Sequence, residues 1–400
     1  MLKRVYLDYA AATPLDPRVK KIMDEYLAHG SANPSGLYQE GIESKKYLES
    51  ARKIVAGFIG AKVHEIFFTA STTESNNLAI LGATRANQSS GRHLITTATE
   101  HVSVLNVFKQ LETEGFEVSY LPVDEYGQVS ANQVTAAIRP DTILVSVIFA
   151  SNEIGTVNPI KEIGMGIKGR KGNNGLPLFF TDAAQAAPHL KINADNLGLD
   201  LMSFSSSKLY GPKGAAALFI RSGVKINPIM FGGSQENNLR PGTQDVSGIV
   251  GLAEAVKINQ MEGAKEDEQL KLWCDKIIKE VQLALPEVLL NGHSQERLAN
   301  NISFSIPTIK AEELVVAMDL VGFAVSTRSA CDAKNPTPPH VIKAIGRSND
   351  EAWGTVRITL GRYTTSEDVE SFIETFIMEV GKLKNRTLVF NNTNTLMSRE

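Results

Sequence analysis

Between about residues 60 and 220, short apolar runs alternate with segments in which apolar residues recur at helical spacing. Several runs, such as 143–149, are apolar almost throughout, as expected for strands that are covered on both faces. The alternation predicts an α/β fold with a mostly parallel, seven-stranded sheet. The predicted strands are Ile66–Thr69, His93–Thr97, 117–122, 142–150, Leu178–Asp182, 200–205 and Ala216–Ile220.

The length of 400 residues exceeds what one compact core usually holds, so two domains are expected. Residues 246–285 keep a helical apolar pattern without proline, and we predict that this long helix leads out of the first domain. A smaller α+β unit follows, with strands at 302–306, 323–327 and 355–360 and helices near 311–321, 338–346 and 366–384. The predicted division is a large domain at 15–261, a small domain formed by 1–14 and 262–385, and a loose polar tail at 386–400.

The composition excludes several classes of protein. A net charge of −3 offers no basic excess, so no direct nucleic-acid binding is expected. No apolar run reaches the roughly 18 to 20 residues of a membrane span, and residues 1–8 lack the apolar core of a signal peptide. We therefore expect a cytoplasmic protein without membrane contact. Neither Cys274 nor Cys331 lies in a cluster with metal-ligand spacing, so no metal is expected.

The segment 200–214 ends a predicted strand in hydroxyl residues, which are followed by Lys208 and a Gly/Pro turn. Hydroxyl and backbone N–H groups at a strand end can bind phosphate, and a neighbouring lysine can form an imine with an aldehyde. Taken alone this is weak evidence, because most lysines are solvated surface residues.

Polar residues also follow other predicted strands. Asp182 and Gln185 stand where a strand ends, at the crevice in which α/β sheets bind ligands. The segment 70–77 ends one strand and opens a helix, which suits a phosphate, and His101 begins a further helix. Singly, each of these residues could just as well cap a helix or lie at the surface. Together they fall at one edge of the sheet, as a pocket for pyridoxal phosphate (PLP) requires.

Short motifs in the order of a known family extend over nearly the whole chain. They are Leu-Asp-Tyr-Ala-Ala-Ala-Thr-Pro at 7–14, Asn-Pro-Ser at 33–35, Thr-Glu-Ser-Asn-Asn at 73–77, Glu-His-Val at 100–102, Asn-Glu-Ile-Gly at 152–155, Asp-Ala-Ala-Gln at 182–185, Ser-Ser-Ser-Lys at 205–208, Arg-Pro-Gly-Thr at 240–243, Ser-Ala-Cys at 329–331, Val-Arg at 356–357 and Leu-Gly-Arg-Tyr-Thr-Thr at 360–365. With them the chain resembles the cysteine desulfurases, PLP-dependent enzymes of the class-V aminotransferase group. The resemblance implies PLP fold type I, the aspartate-aminotransferase-like fold.

Carried over position by position, the resemblance implies three groups of site residues. Lys208, Cys331 and His101 would be catalytic, with Lys208 binding PLP covalently and moving protons at the substrate α-carbon. Substrate contacts would come from Asn33, Asn152 and Arg357, whose planar guanidinium suits a carboxylate. The implied cofactor-binding residues are Thr72, Thr73, His101, Asn152, Asp182 (at the pyridine nitrogen), Gln185 (at the ring oxygen), Ser205, Ser207, Lys208 and Thr243, the last reaching the phosphate from the partner subunit of a homodimer.

Cys331 separates the desulfurases from other fold-type-I enzymes. The polar, proline-rich residues 332–339 that follow it cannot form a helix or an inner strand, so Cys331 is expected on a loop at about 325–340 of the small domain. The resemblance to the long-loop desulfurases implies conversion of L-cysteine to L-alanine, with the sulfur left on Cys331 as a persulfide. Acceptor proteins, such as an iron–sulfur scaffold or a tRNA-thiolation protein, would then receive it.

The sequence departs from the family pattern at several positions. Ser206 and Ser207 stand where Gly-His usually precedes the lysine, and the phosphate segment has Ser-Thr at 71–72 where small residues are usual. Tyr38, Asn158 and Arg328 are further departures. Two alternatives stay open: a selenocysteine lyase or another PLP aminotransferase or lyase that does not need Cys331, and a non-catalytic homologue that serves as a scaffold.

Overall fold

A computed structural model describes residues 3–30, 32–327 and 338–397, with side chains as far as residue 386. The strands are β1 (Val5–Tyr6), β2 (Ile66–Thr69), β3 (His93–Thr97), β4 (Glu117–Leu121), β5 (Thr142–Ser146), β6 (Leu178–Asp182), β7 (Leu201–Ser205), β8 (Ala216–Ile220), β9 (Leu289–Leu290), β10 (Asn301–Ser305), β11 (Phe323–Ala324) and β12 (Thr355–Thr359). The α-helices are α1 (Pro17–His29), α2 (Gln39–Ile59), α3 (Thr72–Asn87), α4 (Val102–Thr113), α5 (Ala131–Ala137), α6 (Ile160–Lys168), α7 (Val246–Ala284), α8 (Ala311–Leu320), α9 (His340–Ala344), α10 (Asn349–Trp353) and α11 (Ser366–Met397).

The central element is a seven-stranded sheet with the order β2-β8-β7-β6-β5-β3-β4. Strand β8 pairs antiparallel with both of its neighbours, and the other pairings are parallel. The prediction of a mostly parallel α/β sheet is therefore confirmed. Because the parallel strands share one direction, the connections that follow β2, β3, β5, β6 and β7 all leave from the same edge.

Several helices begin at residues whose side chains accept hydrogen bonds from the first turn. The Asp16 side chain accepts from the backbone N–H of Arg18, and Pro17 occupies the first helical position of α1. Ser71 caps α3 in the same way through the N–H of Glu74, and His101 caps α4 through the N–H of Ser103. Two of these caps stand directly after strands of the large sheet, so the cap residues lie at its carboxyl edge.

The large sheet and a smaller, three-stranded sheet each have their own core of buried residues. The faces of the large sheet are covered by apolar side chains from helices α1 to α7. A separate core packs around a three-stranded sheet with the order β12-β10-β9 and against α8 and α11. Helix α7 contributes to both cores, with Ile249 and Val256 in the first and Leu270 and Ile277 in the second. The boundary that we predicted near residue 261 stays a prediction.

Two parts of the smaller unit differ from expectation. Strand β11 covers only 323–324, and it pairs in parallel with β1 rather than forming a five-residue strand. The final helix continues to Met397, so the backbone of 386–397 is helical where we expected a loose tail. That segment contains no proline or glycine to end the helix. None of the helices in the described part of the chain has the length and apolarity of a membrane span.

Candidate active site

A cavity of about 280 Å³ opens at the carboxyl edge of the large sheet. Its walls come from the connections after β2, β3, β5, β6 and β7, from the residues before β8, and from β12 of the smaller unit. The predicted site residues that line it are Thr72, Thr73, His101, Asn152, Asp182, Gln185, Ser205, Ser207, Lys208 and Arg357. The predicted residues at this edge of the sheet thus line one shared pocket.

Several hydroxyl groups line the cavity. Thr72 and Thr73 open helix α3, and the buried Oγ1 of Thr72 has no hydrogen-bond partner among the described residues. Ser205 and Ser207 line the same cavity, and their hydroxyl oxygens lie 3.2 Å apart. The backbone N–H groups of a helix N-terminus and nearby hydroxyls together favour an anion such as a phosphate.

Lys208 is held by the N-terminal segment of the chain. Its Nζ donates hydrogen bonds to the carbonyl oxygens of Ala10, at 2.7 Å, and Ala11, at 2.5 Å. The Nε2 of Gln185 also donates to the Ala10 carbonyl, at 2.9 Å. The segment therefore orients two of the predicted cofactor-binding side chains at once.

Asp182 ends β6 and is buried, and both of its carboxylate oxygens accept hydrogen bonds. Oδ1 accepts from the backbone N–H of Ala184 at 2.9 Å, and Oδ2 accepts from Nδ2 of Asn76 at 2.8 Å. Close by, burial lowers the pKa of His101, while the negative charge of Asp182 acts in the opposite direction. The site therefore favours a neutral imidazole.

Arg357 is 2% exposed and projects from β12 toward the same cavity. Its Nη1 donates to the backbone carbonyl of Asn152 at 2.9 Å, and its Nη2 donates to Oδ1 of Asp8 at 2.8 Å. The buried Nε has no partner among the residues that the structure describes. A guanidinium with an unused N–H, held in place by two partners, suits a substrate carboxylate.

Two predicted residues, Asn33 and Thr243, do not line the cavity, and a third lies outside the part of the chain that the structure describes. The exposed Asn33 accepts a hydrogen bond from the backbone N–H of Ser35, and the exposed Thr243 lies outside the walls formed by this chain. Cys331, together with Arg328, lies outside the described residues. The other cysteine, Cys274, is buried in α7, and burial raises the pKa of its thiol to about 12, which makes it a poor nucleophile.

Sequence reasoning missed several residues that contact the predicted ones. Asp8 and Asn76 belong to recognised motifs, but nothing in the sequence shows that they bond Arg357 and Asp182. Glu100 is fully buried, and burial raises the pKa of its carboxyl group to about 8. The Nε2 of His340 donates to the Glu100 backbone carbonyl at 3.0 Å. Glu100 stands in the recognised Glu-His-Val motif at 100–102, and that motif is the signal that could have pointed to it.

The side chains of this cavity fit PLP. The same lining contains the amine of Lys208, the carboxylate of Asp182 and the amide of Gln185, and the Thr72 hydroxyl, which has no partner among the described residues, can donate a hydrogen bond to a phosphate oxygen. Together with the mostly parallel sheet, this arrangement is that of a fold-type-I PLP enzyme.

Comparison with known proteins agrees with that class. The family model described as aminotransferase class-V matches residues 5–372. Cysteine desulfurase IscS of Dictyoglomus turgidum is 44% identical over 96% of this chain and 96% of its own length. The solved structure of a NifS-like protein superposes with a TM-score of 0.89 at 34% identity, covering 95% of this chain and 100% of that one. The structure described as SspA in complex with cysteine has a TM-score of 0.79 at 36% identity, covering 90% and 99%. The chain therefore belongs to the class-V aminotransferase family and, within it, to the cysteine desulfurases.

Proposed function

We propose that this protein removes sulfur from L-cysteine, leaving L-alanine and a persulfide on Cys331. The observation that carries the proposal is the convergence of Lys208, Asp182 and Arg357 on one cavity in a chain whose relatives are cysteine desulfurases. The similar SspA structure is described as a complex with cysteine, which supports cysteine as the substrate here.

The cavity residues divide into a phosphate end, a ring site and a covalent anchor. PLP, when bound, supplies an electron sink for charge that develops on the substrate α-carbon. Asp182 would pair with the pyridine nitrogen, Gln185 with the ring oxygen, and Lys208 would hold the aldehyde carbon. His101 and Asn152 would lie beside the ring. The phosphate would be held by Thr72, Thr73, Ser205 and Ser207.

The remaining residues act on the substrate. Arg357 binds the cysteine carboxylate, and Lys208 moves the proton at the α-carbon. The thiolate of Cys331 attacks the substrate sulfur, so that an S–S bond forms as the C–S bond breaks. The electron pair of the broken bond stays with the carbon fragment, which takes up a proton to become alanine. We further propose that Asn33 contributes a substrate contact.

The assembled protein would be a homodimer. Thr243 is exposed in this chain and lies outside its cavity, so it is available to reach the phosphate of a second subunit. We propose that the Cys331 persulfide is passed to acceptor proteins of iron–sulfur cluster or tRNA-thiolation pathways. The cytoplasmic location stays a prediction.

The test is an incubation of the PLP-loaded protein with L-cysteine and a thiol reductant, followed by measurement of sulfide and alanine. Equal amounts of the two products support the proposal. A keto acid in place of alanine would mean transamination, and no product from PLP-loaded protein would mean a non-catalytic homologue. In a parallel incubation, consumption of selenocysteine but not of cysteine would identify a selenocysteine lyase.

A further inference from the structure

Hydrogen bonds connect Asp182 to His101 through two further side chains, Asn76 and Ser103. The Nδ2 of Asn76 donates to Oδ2 of Asp182 at 2.8 Å and to the hydroxyl oxygen of Ser103 at 2.9 Å. The Ser103 hydroxyl oxygen in turn lies 2.7 Å from Nδ1 of His101. Asp182 and His101, both predicted to contact PLP, are thus joined through side chains of α3 and α4.

The orientation of the Asn76 amide follows from its partners. Asn76 is fully buried on α3, and its Oδ1 accepts a hydrogen bond from the hydroxyl of the buried Ser203. An amide nitrogen carries two hydrogens, which match the two acceptors Asp182 and Ser103. The opposite orientation would set the amide oxygen against a carboxylate, which has no hydrogen to donate when ionised. One orientation therefore satisfies every polar atom of Asn76.

The direction of these bonds then fixes the proton of His101. The backbone N–H of Ser103 donates to Nδ1 of His101 at 3.1 Å, which caps helix α4. A nitrogen that accepts this bond carries no hydrogen. The Ser103 hydroxyl, which already accepts from Asn76, must likewise donate to Nδ1. In the neutral ring the hydrogen is consequently on Nε2.

We propose that Asn76 and Ser103 are positioning residues that hold His101 as the neutral tautomer protonated on Nε2. Through them, the position of the His101 proton depends on the hydrogen bond that Asp182 accepts from Asn76. With Nδ1 engaged by two donors, only Nε2 of His101 is available to exchange a proton in the cavity. Taking a proton on Nδ1 would break the cap of α4. The effect of this tautomer on turnover rests on the proposed function, whereas the assignment of the tautomer does not.

Some of the charged groups around His101 raise its pKa and others lower it. The carboxylate of Asp182, on β6, favours a protonated ring. Lys208 after β7, His340 on α9 and Arg357 on β12 disfavour it, as does burial, which has the largest effect. The net result is a lowered pKa for His101, in keeping with a ring that stays neutral around physiological pH.

The test is NMR of the PLP-loaded protein labelled with ¹⁵N-histidine, with the His101 signals assigned by their loss in His101→Gln. The expected spectrum has Nδ1 at the position of an unprotonated ring nitrogen and Nε2 at that of a protonated one. Finding the hydrogen on Nδ1, or a positively charged ring at neutral pH, would overturn the proposal.

Two variants test the coupling. In Asn76→Asp the new carboxylate accepts the Ser103 hydroxyl hydrogen, so the hydroxyl no longer donates to Nδ1 of His101 and its oxygen can accept a hydrogen from Nδ1 instead. The Nδ1 signal should then move to the protonated position, and the pKa of His101 should rise. If that variant does not fold, Ser103→Ala removes one donor to Nδ1 and should raise the pKa of His101 by a smaller amount. An unchanged Nδ1 signal and titration in both variants would refute the coupling.

Asn77→Asp is the matched control. It adds the same charge one residue further along α3, but among the described residues the Asn77 side chain donates to the backbone carbonyl of Thr73 and takes no part in the bonds that join Asp182 to His101. It should leave the tautomer unchanged, and a change as large as that of Asn76→Asp would assign the effect to charge alone and overturn the proposal. Sulfide and alanine are measured on the same samples. If wild type forms neither product but shows the Nε2 tautomer, the proposed function fails and the inference stands.

Discussion

Nη2 of Arg357 donates a hydrogen bond to Oδ1 of Asp8 at 2.8 Å, which pairs the guanidinium with a carboxylate before any substrate is present. The Arg357 side chain is 3% exposed and that of Asp8 is 19% exposed. A buried guanidinium is costly without an anion close by. Asp8 therefore both orients Arg357 and compensates its charge.

Asp8→Asn should destabilise the protein by about 2 kcal/mol, because the amide keeps a hydrogen-bond acceptor but removes the compensating charge. A bound cysteine carboxylate would replace the missing charge. The rise in melting temperature on adding cysteine should therefore be larger in the variant than in wild type. Asp319→Asn is the control, since the Arg4–Asp319 pair is exposed on both sides and should change stability by less than about 1 kcal/mol. Equal cysteine-induced shifts in Asp8→Asn and wild type would contradict the prediction.

Lys208 should carry the cofactor, because its amine lines the cavity together with the hydroxyl of Ser207 and the carboxylate of Asp182. Borohydride reduction of the PLP-loaded protein followed by peptide mapping should find the label on Lys208. Lys213 also lines the cavity and is the internal comparison. A label on Lys213 would show that the assignment is wrong.

Cys331→Ser should retain the cofactor absorbance and bind cysteine, but release almost no sulfide. The hydroxyl pKa of serine is far too high for it to replace a thiolate nucleophile. Cys274→Ser is the matched substitution, because that thiol is buried in α7 with a pKa of about 12. It should lose about 1–3 kcal/mol of stability through burial of a hydroxyl and keep its turnover. Sulfide release at the wild-type rate from Cys331→Ser would rule out the proposed sulfur transfer.

Glu100 should make stability fall as the pH rises. Its folded-state pKa of about 8 lies above the ordinary value of 4.5, so the folded protein keeps a proton that the unfolded chain has lost between these two values. The Glu100→Gln side chain has no proton to lose in this pH range. The free energy of unfolding of the variant, relative to wild type, should therefore increase as the pH is raised from 4.5 to about 8.

Glu65→Gln provides a control with the opposite sign. Hydrogen bonds from Ser222 and the N–H of Lys62 outweigh burial and lower the pKa of Glu65, so its carboxylate stabilises the fold above the ordinary pKa. That variant should be least stable relative to wild type near neutral pH, and the difference should shrink in acid. Parallel pH profiles for the two glutamine variants would contradict both assignments.

Thr243 should act across a subunit boundary. Thr243→Ala should weaken PLP binding about tenfold, the effect of losing one hydrogen bond to a charged group. Mixed dimers of Thr243→Ala and Lys208→Ala subunits should regain tight binding in one of their two sites, because one site then has both residues intact. Absorbance titration would measure this recovery. No recovery on mixing, or an active monomer in sedimentation, would show that Thr243 does not act in this way.

The sheet was more predictable than the site. Strands β2, β3, β6 and β8 have the predicted bounds, because strands that are buried along their whole length form largely apolar runs bounded by polar or turn residues. No helix was predicted before residue 60, although Asp16-Pro17 is a recognisable start for α1. Strand β11 has two residues, too few for any periodic pattern.

Much of the site depends on contacts that carry no sequence signal. Lys208 and Gln185 are oriented by backbone carbonyls of alanines, and every residue has a backbone carbonyl. Asn76 and Glu100 are visible in their motifs, yet their partners are distant in sequence: Ser203 in β7 and Ile148 just after β5. Spacing along the chain shows which residues face one edge, but not which of them will form hydrogen bonds.

The parallel pairing of β1 with β11 has a consequence for how the protein is made. Val5 pairs with Phe323, and Asp8 forms a bridge with Thr359, so the segment that covers Lys208 is fixed by residues synthesised near the other end of the chain. The strands of the large sheet leave the ribosome well before those partners exist. A nascent chain can thus fold its sheet while its lysine lacks the surroundings of the finished site. The site can therefore bind the reactive aldehyde of PLP in its final geometry only after translation has passed Thr359.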